Sequence, residues 1–150
     1  MTPQLTEYAA LLTTVALDVG EGAWKMLAQW LAVGSGGFVG ALLRYGVTVA
    51  IPRRAGEFPW ATFWVNVVGC LLIGVILAWA EQTRLAPTTR AFVVTGLLGA
   101  LTTFSTFGFE SVALVKEGSV GLALANVLGN VVIGGVAVVL GWWGGSWIHE

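Results

Sequence analysis

The sequence predicts an all-α membrane protein with four transmembrane helices per subunit. Of its 150 residues, 57% are hydrophobic and only 10% are charged, whereas about 25% of the residues of a soluble domain are charged. The few charges separate four long apolar stretches. Each stretch reaches the length of about 20 residues that a helix needs to cross a bilayer core. We therefore expect a multi-pass integral membrane protein, surrounded by the lipid bilayer.

The composition also argues against other classes of protein. The net charge is −1 and the sequence contains no basic patch, so nucleic-acid binding is not expected. It has no metalloprotease helix motif, no cysteine pair and no phosphate-binding loop, so we expect no enzymatic activity. Cys70 is the only cysteine, and its apolar neighbours favour a small buried side chain over a reactive thiol.

The charged residues also predict where each element begins and ends. Residues 1–23 form an N-terminal extension, which we interpret as a short amphipathic helix on the membrane surface or a disordered tail. Residues 24–150 form the four-helix domain. Its spans lie at about residues 24–51, 59–80, 87–115 and 120–147. Most tryptophans lie near span ends, where the indole ring prefers the headgroup region.

The cations beside the spans give no orientation signal. With four spans, both termini share one side of the membrane. The cations of that side are Lys25, Arg84 and Arg90, and those of the other side are Arg53, Arg54 and Lys116. Because an excess of cations normally marks the cytoplasmic side, this balance favours insertion in both directions and an antiparallel, dual-topology homodimer. The alternative is an orientation set by another signal.

Small and polar residues interrupt the third span near its middle. They comprise Gly96, Gly99, Thr102, Thr103, Ser105 and Thr106. One interpretation is a helix broken in mid-membrane, since unwound backbone that lines a cavity can bind ions through its free carbonyl and amide groups. The other is tight helix packing, with hydroxyls bonded to carbonyls one turn earlier. The residues alone support the two interpretations equally.

Two polar tracks are predicted on the neighbouring spans. Thr62 and Asn66 lie one helical turn apart, and so do Asn126 and Asn130. Polar side chains at membrane depth are costly and are candidates for function. The amide of Asn66 either tethers a neighbouring helix or donates to a permeating anion. Two tracks beside an interrupted helix are more typical of a pathway than of scattered packing contacts.

Two charged residues fall inside or beside the apolar stretches. Glu110 follows the interruption of the third span, where it would serve as a proton or ion relay or as an interfacial charge. Arg44 lies within the first span. It would pair with an acid or cap free carbonyl groups near the interface.

Three motifs resemble those of the Fluc/CrcB fluoride channels and occur in the same order. The first span carries GGFVGALLRY at residues 36–45 and the second carries TFWVNVVG at 62–69. The third carries GLLG at 96–99, then TTFSTF at 102–107 and Glu110. The resemblance covers about residues 28–147 of the chain.

The resemblance implies a passive channel that exports cytosolic fluoride across a bacterial-type plasma (inner) membrane. It implies a four-helix subunit with a broken third helix, an antiparallel dual-topology homodimer and two fluoride pores. It also implies a structural Na⁺ on the dimer axis, held by the carbonyl groups of Gly99 and Thr102 of both subunits. Fluoride that enters the cell as HF would be driven out by the membrane potential.

The resemblance also assigns residues to the fluoride pathway. The rings of Phe104 and Phe107 would turn their positive edges towards the ion, and Asn66 would donate from its amide. The other pathway residues are Thr62, Thr103, Ser105, Glu110, Asn126 and Asn130. The family usually has a Tyr and a Ser where the last two stand, and Arg44 matches its structural arginine.

Two other functions compete with this interpretation. A small four-helix, dual-topology multidrug or cation transporter needs an acid within the first span for proton coupling, and none lies between Lys25 and Arg53. A subunit that only mediates assembly would explain the small residues. It would not explain Asn66 beside the interrupted third span. An efflux assay separates all three functions.

Overall fold

A computed structural model describes the backbone of residues 3–83 and 85–147, with side chains from residue 21 onward. All regular structure within these residues is helical. The helices are α1 (Pro3–Ala50), α2 (Trp60–Thr83), α3 (residues 87–101), α4 (Phe104–Lys116) and α5 (Val120–Ser146).

Four segments of these helices are long and apolar enough to cross a membrane. They are Glu21–Ala50, Trp60–Thr83, Pro87–Lys116 and Val120–Ser146. The third comprises α3 and α4. The predicted number of spans is confirmed, and the observed ends of the second, third and fourth spans lie within three residues of the predicted ones. The chain is therefore a multi-pass, all-helical membrane protein.

The first helix extends beyond its span towards the N-terminus. α1 is one uninterrupted helix of 48 residues, so no helix end marks the predicted boundary at residue 24. At about 1.5 Å per residue this helix is roughly 70 Å long, whereas a bilayer core is about 30 Å thick. The backbone of the extension is thus helical over residues 3–20. Its position on the membrane surface stays a prediction.

The spans pack in two close pairs, α1 with α3 and α2 with α5. Glycines lie where the backbones meet. A Cβ atom at Gly40 would overlap the carbonyl oxygen of Leu97, and one at Gly141 would overlap that of Leu71. Lipid provides no hydrophobic drive for helix association, so this close van der Waals packing holds the pairs together. α4 lies against the first half of α5.

Two stretches of the spans are wound as π-helix. These are Ala91–Leu98 within α3 and Gly129–Ile133 within α5. Such turns are rare and occur frequently at functional sites. The second stretch carries Asn130, so the irregular winding lies on a predicted polar track.

An ion pair joins two loops at one end of the helix bundle. The Arg53 guanidinium lies 2.7 Å from the carboxylate of Glu117, which also accepts a 2.8 Å hydrogen bond from the backbone N–H of Gly56. Gly56 has a φ of +75°, a conformation that suits glycine. The loop after α1 is thereby held against the turn between α4 and α5, which agrees with their predicted position on the same side.

Candidate functional site

The candidate site lies where the third span changes from α3 to α4. α3 ends at Leu101 and α4 begins at Phe104. The backbone between them is extended, with φ and ψ of −77° and 153° at Thr102 and of −148° and 109° at Thr103. The Thr102 N–H still donates to the Leu98 carbonyl oxygen at 3.1 Å. The helical hydrogen bonds end there, so the other backbone amide and carbonyl groups around this segment need other partners.

Asn66 of α2 is hydrogen-bonded to the extended segment. Its side-chain oxygen accepts from the backbone N–H of Thr103 at 2.9 Å, and its amide nitrogen lies 3.5 Å from the carbonyl oxygen of the same residue. The second distance is at the outer limit of a hydrogen bond. Of the two roles predicted for Asn66, the structure therefore shows the helix tether directly.

The two helix ends on either side of the extended segment are capped. The Arg44 guanidinium donates from Nε to the carbonyl oxygen of Ala100 at 3.0 Å, so this arginine caps the end of α3 and contacts no acid among the described residues. The Thr103 side chain accepts from the backbone N–H of Thr106 at 3.3 Å. This is the usual N-cap bond at the start of a helix.

The two polar tracks join in one chain of hydrogen bonds, in which each side chain donates to the next member. Asn66 donates from Nδ2 to Oδ1 of Asn130 at 2.9 Å, and Asn130 donates from Nδ2 to Oδ1 of Asn126 at 2.9 Å. Asn126 donates to the hydroxyl of Ser111 at 2.9 Å, and that hydroxyl donates to the carbonyl oxygen of Phe107 at 2.8 Å. The chain links α2, α5 and α4.

A cavity of about 300 Å³ opens beside this chain. Its lining consists of Asn66, Cys70, Ile73, Thr102, Thr103, Phe104, Phe107, Asn130 and Val131. The Phe104 and Phe107 rings have centroids 5.4 Å apart and planes inclined at 52°. Phe107 is buried, but the Phe104 side chain is 83% exposed on this single chain. The cavity therefore combines amide groups, hydroxyls and aromatic rings.

Glu110 and Thr62 form a second polar group, outside the lining of the cavity. Thr62 is buried and lies beside the Glu110 carboxyl group. Oε2 of Glu110 is buried and has no hydrogen-bond partner among the described residues.

The structure divides the predicted pathway residues into three groups. Five line the cavity: Asn66, Thr103, Phe104, Phe107 and Asn130. Asn126 is fully buried and reaches the cavity only through Asn130. Thr62, Ser105 and Glu110 lie outside the lining, and Ser105 is exposed. Of the two predicted sodium ligands, Thr102 lines the cavity and Gly99 is exposed.

Ser111 and Cys70 are site residues that the sequence interpretation missed. Ser111 stands one helical turn after Phe107, the spacing at which a hydroxyl bonds to the earlier carbonyl, and this spacing was its only local signal. Cys70 follows Asn66 by one turn on α2. That spacing alone would have placed it on the same helix face.

Comparison with known proteins places these residues in a described family. Residues 31–142 match the family "CrcB-like protein, Camphor Resistance (CrcB)". A relative named "Fluoride-specific ion channel FluC" from Chlorobium phaeobacteroides is 42% identical over 118 residues, which is 78% of this chain and 92% of the relative. "Fluoride-specific ion channel FluC 1" from Natronomonas pharaonis is 46% identical over 109 residues, or 72% and 86%. A FluC from Salinibacter ruber is 45% identical over 115 residues, or 75% and 84%.

Proposed function

This chain belongs to the CrcB-like family, and we propose that it is a fluoride-selective ion channel rather than an enzyme. The observation that carries the proposal is the cavity at the extended segment, where the Asn66 amide and the rings of Phe104 and Phe107 converge. The relatives named as fluoride channels align with most of this chain.

The chemistry of the cavity suits a small, strongly hydrated anion. Fluoride that enters a narrow pathway must exchange its water for directed donors. The Asn66 amide supplies such a donor, and aromatic ring edges carry partial positive charge. Both groups are neutral, so they hold the ion without trapping it, and conduction requires binding that is weak enough for release. Chloride is larger and is expected not to pass.

We further propose that two chains form an antiparallel, dual-topology homodimer with two fluoride pores. A side chain as exposed as Phe104 cannot enclose an ion within a single chain, and a second copy would cover it. The even distribution of cations on the two sides of the membrane supports insertion in both orientations.

A structural Na⁺ on the dimer axis belongs to the same proposal. The N–H of Thr103 donates to Asn66, and the N–H of Thr106 donates to the Thr103 hydroxyl. Neither amide is therefore directed at the carbonyl that would precede it by four residues in a continuous helix, on Gly99 and Thr102 respectively. Free carbonyl oxygens at unwound backbone suit a hard cation. The Na⁺ would hold the extended segments of the two subunits together.

Export follows from the membrane potential. Hydrogen fluoride crosses the bilayer as a neutral acid and dissociates in the cytosol. A passive anion channel then lets the inside-negative potential expel the anion, since moving one charge across 100 mV releases about 2.3 kcal/mol. Under this proposal no coupling ion is needed.

The competing functions explain less of the site. A proton-coupled transporter needs a membrane-embedded acid in its first span, and α1 carries none between Lys25 and Ala50. An assembly subunit accounts for the close glycine packing. It leaves the cavity and its converging amides without a role.

Ion efflux from liposomes tests the proposal. Vesicles that contain the purified protein and are loaded with potassium fluoride are expected to release fluoride when valinomycin is added, and vesicles loaded with chloride are expected to retain it. Protein-free vesicles are the control. Equal release of both anions, or release of neither, would contradict the function.

A further inference from the structure

We propose that Asn126 is a positioning residue. It holds the side-chain amide of Asn130 so that the amide oxygen of Asn130 accepts from the Asn66 amide until a permeating anion takes the place of that oxygen. The inference rests on the proposed function, because it assigns a role in anion passage. Asn126 itself does not line the cavity. It is fully buried and acts through the Asn130 amide.

The direction of the hydrogen-bond chain is set at both ends by backbone groups. At one end, the Thr103 N–H is always a donor, so the Asn66 oxygen must face it and the Asn66 nitrogen must point onward. At the other end, the Phe107 carbonyl is always an acceptor, so it takes the hydroxyl hydrogen of Ser111. The Ser111 oxygen is then left to accept from the Asn126 nitrogen. Backbone chemistry thus orients each amide between them.

Asn126 offers only acceptors to Asn130. Because its nitrogen is bonded to Ser111, its side-chain oxygen faces Asn130, and its backbone carbonyl lies on the same side. Asn130 donates to both, at 2.9 Å and 3.0 Å. Both amide hydrogens of Asn130 are therefore occupied within α5. A flipped Asn130 amide would set its oxygen against two acceptors and leave buried groups unpaired.

The oriented Asn130 amide presents an acceptor to Asn66. When no ion is present, the Asn130 oxygen accepts from the Asn66 amide, so this donor is not left without a hydrogen-bond partner in a low-dielectric site. An arriving anion takes the place of the oxygen, so one acceptor is exchanged for another. If Asn130 were free to turn its amino group towards the cavity, two amides would donate to the same anion, and it would leave more slowly.

Efflux measured as a function of fluoride concentration tests this role in the reconstituted protein. Asn126→Leu keeps the side-chain size but removes the acceptor. It is expected to lower the half-saturating fluoride concentration about fivefold, the effect of roughly one hydrogen bond, and to lower the maximal rate as well. Ser111→Ala should shift both values in the same direction but by less. Ser111→Thr keeps the hydroxyl group and should return both values to those of the wild type. Ser35→Ala removes a hydroxyl that bonds its own helix in α1 and should change neither.

A purely structural role for Asn126 would give a different result. Its loss would lower the maximal rate, or the amount of assembled protein, without changing the half-saturating concentration. That outcome in both Asn126→Leu and Ser111→Ala overturns the inference. A higher half-saturating concentration also overturns it, since it would show that Asn126 strengthens binding.

Side-chain NMR tests the amide arrangement without relying on conduction. The chain contains three asparagines, Asn66, Asn126 and Asn130, so selective ¹⁵N labelling gives few side-chain signals. In fluoride-free detergent, the amide protons of Asn130 should exchange slowly in the wild type and faster in Asn126→Leu. Equal exchange rates overturn the positioning role. Wild-type protein that releases no fluoride overturns the proposed function instead, whatever the exchange rates are.

Discussion

An asparagine amide carries one acceptor oxygen and two donor hydrogens, and Asn66 uses both kinds. Its oxygen holds the Thr103 N–H, and its nitrogen donates to Asn130. A buried polar group that loses its partner costs about 1–3 kcal/mol, so the network favours one arrangement of the extended segment. One residue thereby holds the extended segment and links it to α5 at the lining of the cavity.

The aromatic rings of the cavity give a prediction at the residue scale. Phe104→Ile and Phe107→Ile keep apolar bulk but remove the positive ring edge. We expect each to reduce fluoride efflux by at least about tenfold, which corresponds to about 1.4 kcal/mol, while the protein elutes unchanged in size-exclusion chromatography. Phe109→Ile is the matched control, because Phe109 lies on the same helix, is 75% exposed and does not line the cavity. Undiminished flux in the first two variants would refute their place in the pathway.

Among the elements, the third span needs support from its neighbours, because an interrupted helix exposes two additional ends. Arg44 of α1 caps the end of α3, and Thr103 caps the start of α4. α1 approaches α3 closely enough for this contact because Gly40 has no side chain to separate them. The close packing of α1 on α3 and the cap on the end of α3 therefore depend on each other.

Substitution of α1 glycines tests that dependence at the scale of helices. A Cβ at Gly40 would overlap the Leu97 carbonyl oxygen, whereas one at Gly46 meets nothing within 4 Å. We expect Gly40→Ala to destabilise the protein by about 1–3 kcal/mol, as overpacking does. Gly46→Ala should be neutral or slightly stabilising, since alanine favours a helix. Thermal unfolding in detergent measures both, and equal melting temperatures would contradict the proposed packing role.

For the whole molecule, the single chain leaves much apolar and aromatic surface exposed beside its cavity. Phe104 and Phe109 are examples on α4. Lipid can cover such surface, but it cannot complete an ion pathway. The proposed antiparallel dimer would cover part of the surface with a second chain and place two extended segments together.

Membrane orientation is the corresponding prediction for the whole molecule. In a Cys70→Ala background, Ala55→Cys places one thiol on the exposed loop after α1. An impermeant maleimide is expected to label about half of the molecules from the outside of intact cells, as balanced flanking cations predict, and the remainder only after permeabilisation. A control with Ser35→Cys, within the first span, should not be labelled from either side. Labelling of nearly all or none of the loop thiols from outside would indicate one orientation.

The sequence by itself determined the number of spans, their approximate ends and the polar tracks. These follow from local properties, because charge spacing marks where apolar stretches stop and the helical repeat places Asn126 and Asn130 on one face. It also singled out the small and polar residues of the third span, with two open explanations. The N-terminal extension likewise had two explanations, a surface helix and a disordered tail, and its position at the membrane stays a prediction.

Only the tertiary structure decided which of these polar groups meet. Asn66 and Asn130 are 64 residues apart in the chain, and Arg44 and Ala100 are 56 apart. Their contacts depend on how each helix is rotated and how closely its glycines let it approach its neighbour, which no local pattern specifies. For the same reason Ser111 entered the site unpredicted, and Glu110 lies with Thr62 outside the lining of the cavity. Hydrophobicity places residues in the membrane, and helix packing decides which of them share a site.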